Sequence, residues 1–195
     1  YAESHYPMTL AETASIFAES VVRDQLLATA ESPGERRLML WEELSSALAF
    51  LVNIPVRFDF ESRFYELRER GELGAEELSE LMDDSWRRWY GEAAAQSDDL
   101  FWASKLHFSI AERSFYNYPY LFGYLFSMGV YARSAVLGDQ FYPEYLALLR
   151  DTGRMTAEEL AHKHLGTDLS RPEFWESSIV IARNHVDAYE RLLDE

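Results

Sequence analysis

The sequence predicts an all-α fold, and three observations predict it. Apolar residues recur three and four positions apart along most of the chain, as in Leu38, Trp41, Leu44, Leu48 and Leu51, the spacing that gathers them on one side of a helix. Capping-box spacing recurs as well: Thr9 with Glu12, Ser32 with Glu35 and Thr156 with Glu159 each set a hydroxyl residue three places ahead of a glutamate. Strand signals are missing, since neither alternating apolar and polar residues nor Asn-Gly turns occur. About seven or eight helices are expected, in one helical domain spanning residues 1–195.

Taken in order, Pro7 and Thr9 open a first helix that Ser32-Pro33-Gly34-Glu35 ends, the same box starting the next helix with Pro33 in its first turn. Asn53-Ile-Pro55 is expected to kink or break this second helix, because Pro55 lacks an N–H and its ring crowds the turn before it. The pattern resumes with Phe58, Phe60, Phe64 and Leu67 beside a charged face from Glu61 to Glu72, punctuated by Gly71 and Gly74. Ala75 to about Ala95 reads as another helix, with Leu78, Leu81, Trp86, Trp89 and Tyr90 towards a core. After a turn at Gln96-Ser-Asp-Asp99, the uncharged stretch from Ser114 to Ala132 is nearly long enough to cross a bilayer. Its five tyrosines, Asn117, Pro119 and two glycines make it a buried helix with polar handles, ending near Gly138. Tyr142 to Arg150 forms a short helix, Thr156 opens one to about Leu165, and Pro172 to Leu193 closes the chain.

Composition narrows the function classes. With 34 acidic against 18 basic residues and a formal charge of -16, no nucleic-acid partner is expected, because phosphate contacts need basic patches. No membrane partner is expected either. The chain is 48% hydrophobic and 15% aromatic, enough for one substantial core or two small ones. It has no cysteine, which excludes disulfides and thiolate metal sites and leans towards a reducing cytoplasm. Its opening, Tyr-Ala-Glu-Ser-His-Tyr-Pro, carries no initiator methionine and no signal-peptide pattern, so a natural neighbour upstream is expected.

The first helix carries the first functional question. At 100° per residue Glu12, Ser15 and Glu19 fall at about 0°, 300° and 340°, while Leu10, Ala14, Phe17 and Val21 spread around the rest, so the helix is expected to be enclosed on most sides. An enclosed carboxylate needs a cation, a donor or its own proton. Glu12 either caps its own helix or, with Glu19, holds something.

Elsewhere the chemistry is sparse. There is no cysteine nucleophile, no Gly-x-Ser-x-Gly elbow and no glycine-rich phosphate loop. Of the five histidines, His5, His107, His162, His164 and His185, His162 stands in Glu159-Leu-Ala-His162, the spacing of di-iron helical bundles. The second copy that such a site needs is missing, so this pair reads as solvated surface. His107 lies among Trp102, Leu106 and Phe108, which suits a core histidine or a functional one. The segment Phe115-Tyr-Asn-Tyr-Pro-Tyr-Leu-Phe-Gly-Tyr124 is the strongest compositional oddity. Buried phenols need partners, and phenylalanine would pack as well without them. Tyr116 and Tyr118 fall at the mouth of a helix, with Tyr120 and Tyr124 one turn apart inside it. Phenols converging near a carboxylate could steady an oxyanion or a carbonyl, but spacing alone does not bring them together.

These residues resemble a known family. Leu10-Ala-Glu12-Thr-Ala-Ser15-Ile-Phe-Ala-Glu19, then His107-Phe with Phe115 to Phe126, then Leu148-Leu-Arg-Asp-Thr-Gly153, Leu165-Gly-Thr-Asp-Leu169 and Pro172-Glu-Phe-Trp175 are similar, in order, to the M3 family of zinc metallopeptidases, in its oligoendopeptidase F branch. The resemblance covers essentially the whole chain as the C-terminal third of a longer enzyme. It implies that Glu12 is the third protein ligand of a catalytic zinc, with Glu19 a supporting carboxylate on the same helix face. It further implies that His107 and the tyrosines at 116, 118, 120 and 124 hold the substrate backbone and stabilise the oxyanion. The family's His-Glu-x-x-His, which lies upstream of the glutamate helix, is absent from this sequence. The resemblance therefore implies a parent that cleaves oligopeptides through zinc-activated water, and a chain that alone neither binds zinc tightly nor hydrolyses peptides. The remaining N-terminal part of the same enzyme is its expected partner, and self-association through the apolar surface that this part would cover is expected. Two other readings stand beside it: a non-catalytic helical interaction module on a former enzyme scaffold, and a di-iron bundle using Glu159 and His162.

Overall fold

A computed structural model describes residues 6–110 and 112–193; His5 lies outside them. Among the described residues all regular structure is helical. A 3-10 turn, Met8–Leu10, leads into α1 (Thr13–Thr29) and α2 (Pro33–Leu48), and a π-helical turn, Ala49–Asn53, joins α2 to α3 (Ile54–Arg68). There follow α4 (Ala75–Tyr90), the short α5 (Phe101–Ser104), a 3-10 turn at Leu106–Ser109, α6 (Tyr118–Leu137), α7 (Phe141–Asp151), α8 (Ala157–Leu165) and α9 (Pro172–Leu193).

Three local expectations change. The Thr9 box does not form: the chain makes a 3-10 turn there, and Glu12 is the N-cap of α1 without a capping hydrogen bond from its side chain. Pro55 does not break the helix into two elements joined by a loop. The π turn widens the helix just ahead of it, which absorbs both the missing N–H and the crowding of the ring. The helix from Ala75 stops at Tyr90, because Gly91 takes a positive φ of 55° that a right-handed helix cannot continue through. The continuous run Pro33–Arg68 is long and apolar enough to cross a membrane by length and composition. Yet it buries Glu43 and Glu61, the pattern of a helix packed against protein.

The chain divides into two compact units, Tyr1–Ser46 with Phe122–Glu195, and Ala47–Leu121. In the first, Leu10, Phe126, Val130, Leu148, Leu160 and Phe174 form a core. There α6 is buried along much of its length, as the sequence predicts. A Cβ on Gly129 would lie 2.2 Å from the Phe174 ring, so only glycine lets that ring seat against α6. The capping box at Thr156 and Glu159 closes as expected: the Glu159 N–H donates to Thr156 Oγ1 at 3.2 Å, and Glu159 Oε2 accepts the Thr156 N–H at 2.9 Å. In the second unit α3 packs on α4 over Val56, Phe60, Leu81, Met82 and Phe101. Trp86 stacks on Tyr90 with ring centres 4.7 Å apart. Each large core side chain of this kind contributes roughly 1.5–3 kcal/mol by leaving water.

Candidate functional site

In the first unit α1 buries Thr13, Ile16 and Ser20, a stripe at i, i+3 and i+7 made of small and hydroxyl residues beside one isoleucine. Glu12 is half-buried at the edge of that stripe and Glu19 is exposed. Glu19 is thus not enclosed as expected, and Val22 and Leu26, three and seven residues on along its side of α1, are exposed as well. Glu12 Oε2 accepts a hydrogen bond from Ser15 Oγ at 2.7 Å, and among the described residues Oε1 takes none. Its backbone is held from α6. Ser127 Oγ donates to the carbonyls of Thr13 (3.0 Å) and Glu12 (3.3 Å), and a Cβ on Gly123 would stand 3.1 Å from Glu12 Cβ.

Catalytic zinc needs three protein ligands and an open position. Among the described residues no three His, Asp or Glu side chains come together as a metal site. The residues present offer one carboxylate with a free oxygen and do not by themselves make a zinc site. The Glu159 and His162 pair does not make one for iron: Glu159 is taken up in its capping box, His162 is exposed, and His164 Nε2 pairs with Asp151 Oδ2 at 2.8 Å.

The same unit contains a polar cluster that the sequence did not reveal. Glu43, on α2, is 4% exposed. It is ion-paired to Arg23 of α1, accepts the Tyr124 hydroxyl of α6 at 3.3 Å, and has His185 Nδ1 of α9 at 3.6 Å. Arg23 also donates to Ser20 Oγ at 3.1 Å. Burial, with the Glu43 charge beside it, pushes the Tyr124 phenol well above its ordinary range. Tyr124 is therefore a buried donor to Glu43.

The second unit brings together four of the residues singled out from sequence. The His107 ring lies 6.1 Å from that of Tyr116, and the Tyr116 and Tyr120 hydroxyls are 3.2 Å apart. Tyr118 is more exposed and meets Phe58 edge-on at 6.2 Å. The segment is set by Glu61, which is 4% exposed and accepts the Phe115 N–H at 2.9 Å. Phe115 has φ of 53°, a conformation that a non-glycine residue keeps only when its surroundings hold it. Burial raises the Glu61 carboxyl above its ordinary value, and the Phe115 hydrogen bond opposes that rise. Arg57, also unmarked by the sequence, donates from Nε (2.9 Å) and Nη2 (2.7 Å) to Asn53 Oδ1 and from Nη1 to Asn117 Oδ1 (2.9 Å). Burial, then the nearby charges of Arg57 and Lys105, hold the His107 imidazole below its ordinary value.

With this geometry in place, the comparisons with known proteins fall into line. No family model matches the chain. Two proteins of Lactococcus lactis, an oligoendopeptidase F homolog from subsp. lactis strain IL1403 and a chromosomal oligoendopeptidase F from subsp. cremoris, are 23% and 24% identical to it over its full length. The chain is similar to oligoendopeptidase F along its whole length. It spans 32% of the length of each relative, about a third. Two crystal structures share the fold: one from Chlamydophila abortus, described as a peptidase, with a TM-score of 0.84, 23% identity and 97% of this chain covered, and oligoendopeptidase-F from Enterococcus faecium, at 0.78, 21% and 99%. This chain covers 32% and 37% of them, respectively. The helical fold of this chain is thus the fold that a stretch of the Enterococcus oligoendopeptidase-F adopts.

Proposed function

We propose that this chain is the C-terminal part of a cytoplasmic zinc oligopeptidase, an enzyme that hydrolyses short peptides. The observation that supports it most strongly is the full-length similarity to two oligoendopeptidase F proteins, in a sequence whose glutamate helix and tyrosine segment keep the order of that family's motifs. Glu12 supplies one zinc ligand, its Oε1 being free of other partners among the described residues, and Glu19 on the same helix supports it. The remaining ligands come from sequence outside this chain. The chemistry that a zinc held there would supply is the activation of a bound water. His107, Tyr116 and Tyr120 bind the peptide backbone and the developing oxyanion, with Tyr118 at their edge. The buried Tyr124 orders α6 through Glu43.

The test uses the full-length parent and a quenched-fluorescent peptide. Hydrolysis is expected to stop with a chelator, to return with zinc, and to fall at least a thousandfold in Glu12→Ala with loss of bound zinc by mass spectrometry. Chelator-resistant hydrolysis overturns the reading. The chain alone is expected to take up no zinc in a micromolar calorimetric titration, since three ligands are needed.

A further inference from the structure

The His107 and tyrosine group has a feature that backbone binding leaves unused. Arg57 is a half-buried guanidinium whose hydrogen-bonding partners are all amide oxygens: Asn53 takes two of its N–H groups and Asn117 a third. A guanidinium carries five donors in a planar fork, so one N–H on each terminal nitrogen remains. Among the described residues no carboxylate pairs with it. One face lies over the Phe101 ring at 5.1 Å, and Lys105 lies over the same ring at 4.8 Å. Two further polar atoms nearby are buried without a hydrogen bond to any described residue. They are Asn117 Nδ2, on a side chain that is 7% exposed, and His107 Nε2. Arg113 adds a third cation over the Tyr116 ring, at 5.7 Å.

A chain of formal charge -16 that leaves, among the described residues, a fixed arginine without a counter-charge and an idle amide N–H on Asn117 beside it is arranged for an anion. The planar fork selects a carboxylate. We infer that Arg57, with Asn117 Nδ2, binds a carboxylate of the substrate peptide beside the phenols that hold its backbone. Asn117 is the hinge of this arrangement. Its Oδ1 is fixed by Arg57, which leaves its amide nitrogen to donate, and it sits in the segment that carries Tyr116 and leads into α6. The carboxylate has two sources, the peptide C-terminus or an acidic side chain. This inference rests on the peptidase reading above.

Four peptides of one sequence separate the sources: free acid or amide at the C-terminus, each with Glu or Gln at one internal position. In the full-length enzyme the form lacking the recognised carboxylate is expected to show KM raised about tenfold or more, the worth of a charged hydrogen bond, with a smaller change in kcat. Sensitivity to the amide assigns the C-terminus, and sensitivity to Gln assigns the side chain. Arg57→Met is expected to abolish the discrimination and Arg57→Lys to keep part of it. The same peptides titrated into this chain, followed through the His107 imidazole by NMR, give a readout that needs no catalysis. If the parent hydrolyses no peptide but the acid still shifts His107 in the chain and the amide does not, the peptidase reading fails and the carboxylate site stands. Equal KM for all four peptides, or discrimination unchanged in a folded Arg57→Met, overturns the site.

Discussion

Glu43 and Arg57 belong to the same unbroken helical run, Pro33–Arg68, yet their surroundings answer their charges in opposite ways. Glu43 meets a full set of partners: Arg23 pairs with it, Tyr124 donates to it and His185 stands beside it. Among the described residues Arg57 donates to amide oxygens, lies over an aromatic face and pairs with no carboxylate. A buried charge whose counter-charge is built in ties elements together, here α1, α2, α6 and α9, and has little left to offer a ligand. A charge that is positioned but not neutralised keeps its field available. The first arrangement belongs to folding, the second to binding.

Three substitutions test this contrast, in order of decreasing expected effect. Glu43→Ala leaves Arg23 and Tyr124 facing a void and is expected to cost about 3–5 kcal/mol in urea unfolding. A loss below about 1 kcal/mol would mean that the cluster is not structural. Arg57→Met removes hydrogen bonds from a half-buried cation without removing a counter-charge, so its cost is expected at about 1–3 kcal/mol, under that of Glu43→Ala. It is also expected to move the His107 imidazole up towards its ordinary value, read by NMR, because one of the charges holding it down is gone. A His107 titration unchanged in that variant would remove Arg57 from its surroundings.

The smallest effect concerns Asp151, a half-buried charge answered by the exposed Lys163 and by His164. Lys163 and His164 hydrogen bonds hold its carboxyl below the ordinary value. A depressed carboxyl contributes stability that is present above the unfolded value and lost as pH falls through the folded one. The wild-type chain is therefore expected to lose stability below the ordinary aspartate range, and Asp151→Asn to flatten that slope in pH-dependent thermal unfolding. Surface screening keeps the effect small.

Much of the fold is legible in the sequence. The last helix runs from Pro172 to Leu193 as the spacing predicts, and the Thr156 box caps α8, because both depend on residues within one or two turns. The π turn before Pro55 was less legible: proline states that the regular helix must give way, and packing decides whether it breaks or widens. Glu12, His107 and the tyrosines could be picked out as unusual residue types in apolar settings. Arg57 and Glu43 could not. Arg57 finds Asn117 across 60 residues and Glu43 finds Tyr124 across 81, and each looks from its neighbours like one more charged position on a helix.

The sequence by itself determined that this chain is helical, where most of its helices begin and end, and which family its motifs resemble, since periodicity, caps and ordered motifs are local properties. The tertiary structure alone decided which charges are neutralised and which phenols are engaged. Tyr124 joins Glu43, while Tyr116 and Tyr120 pair with each other. Burial and pairing act through distance in space, and the strength of a charge depends on what surrounds it.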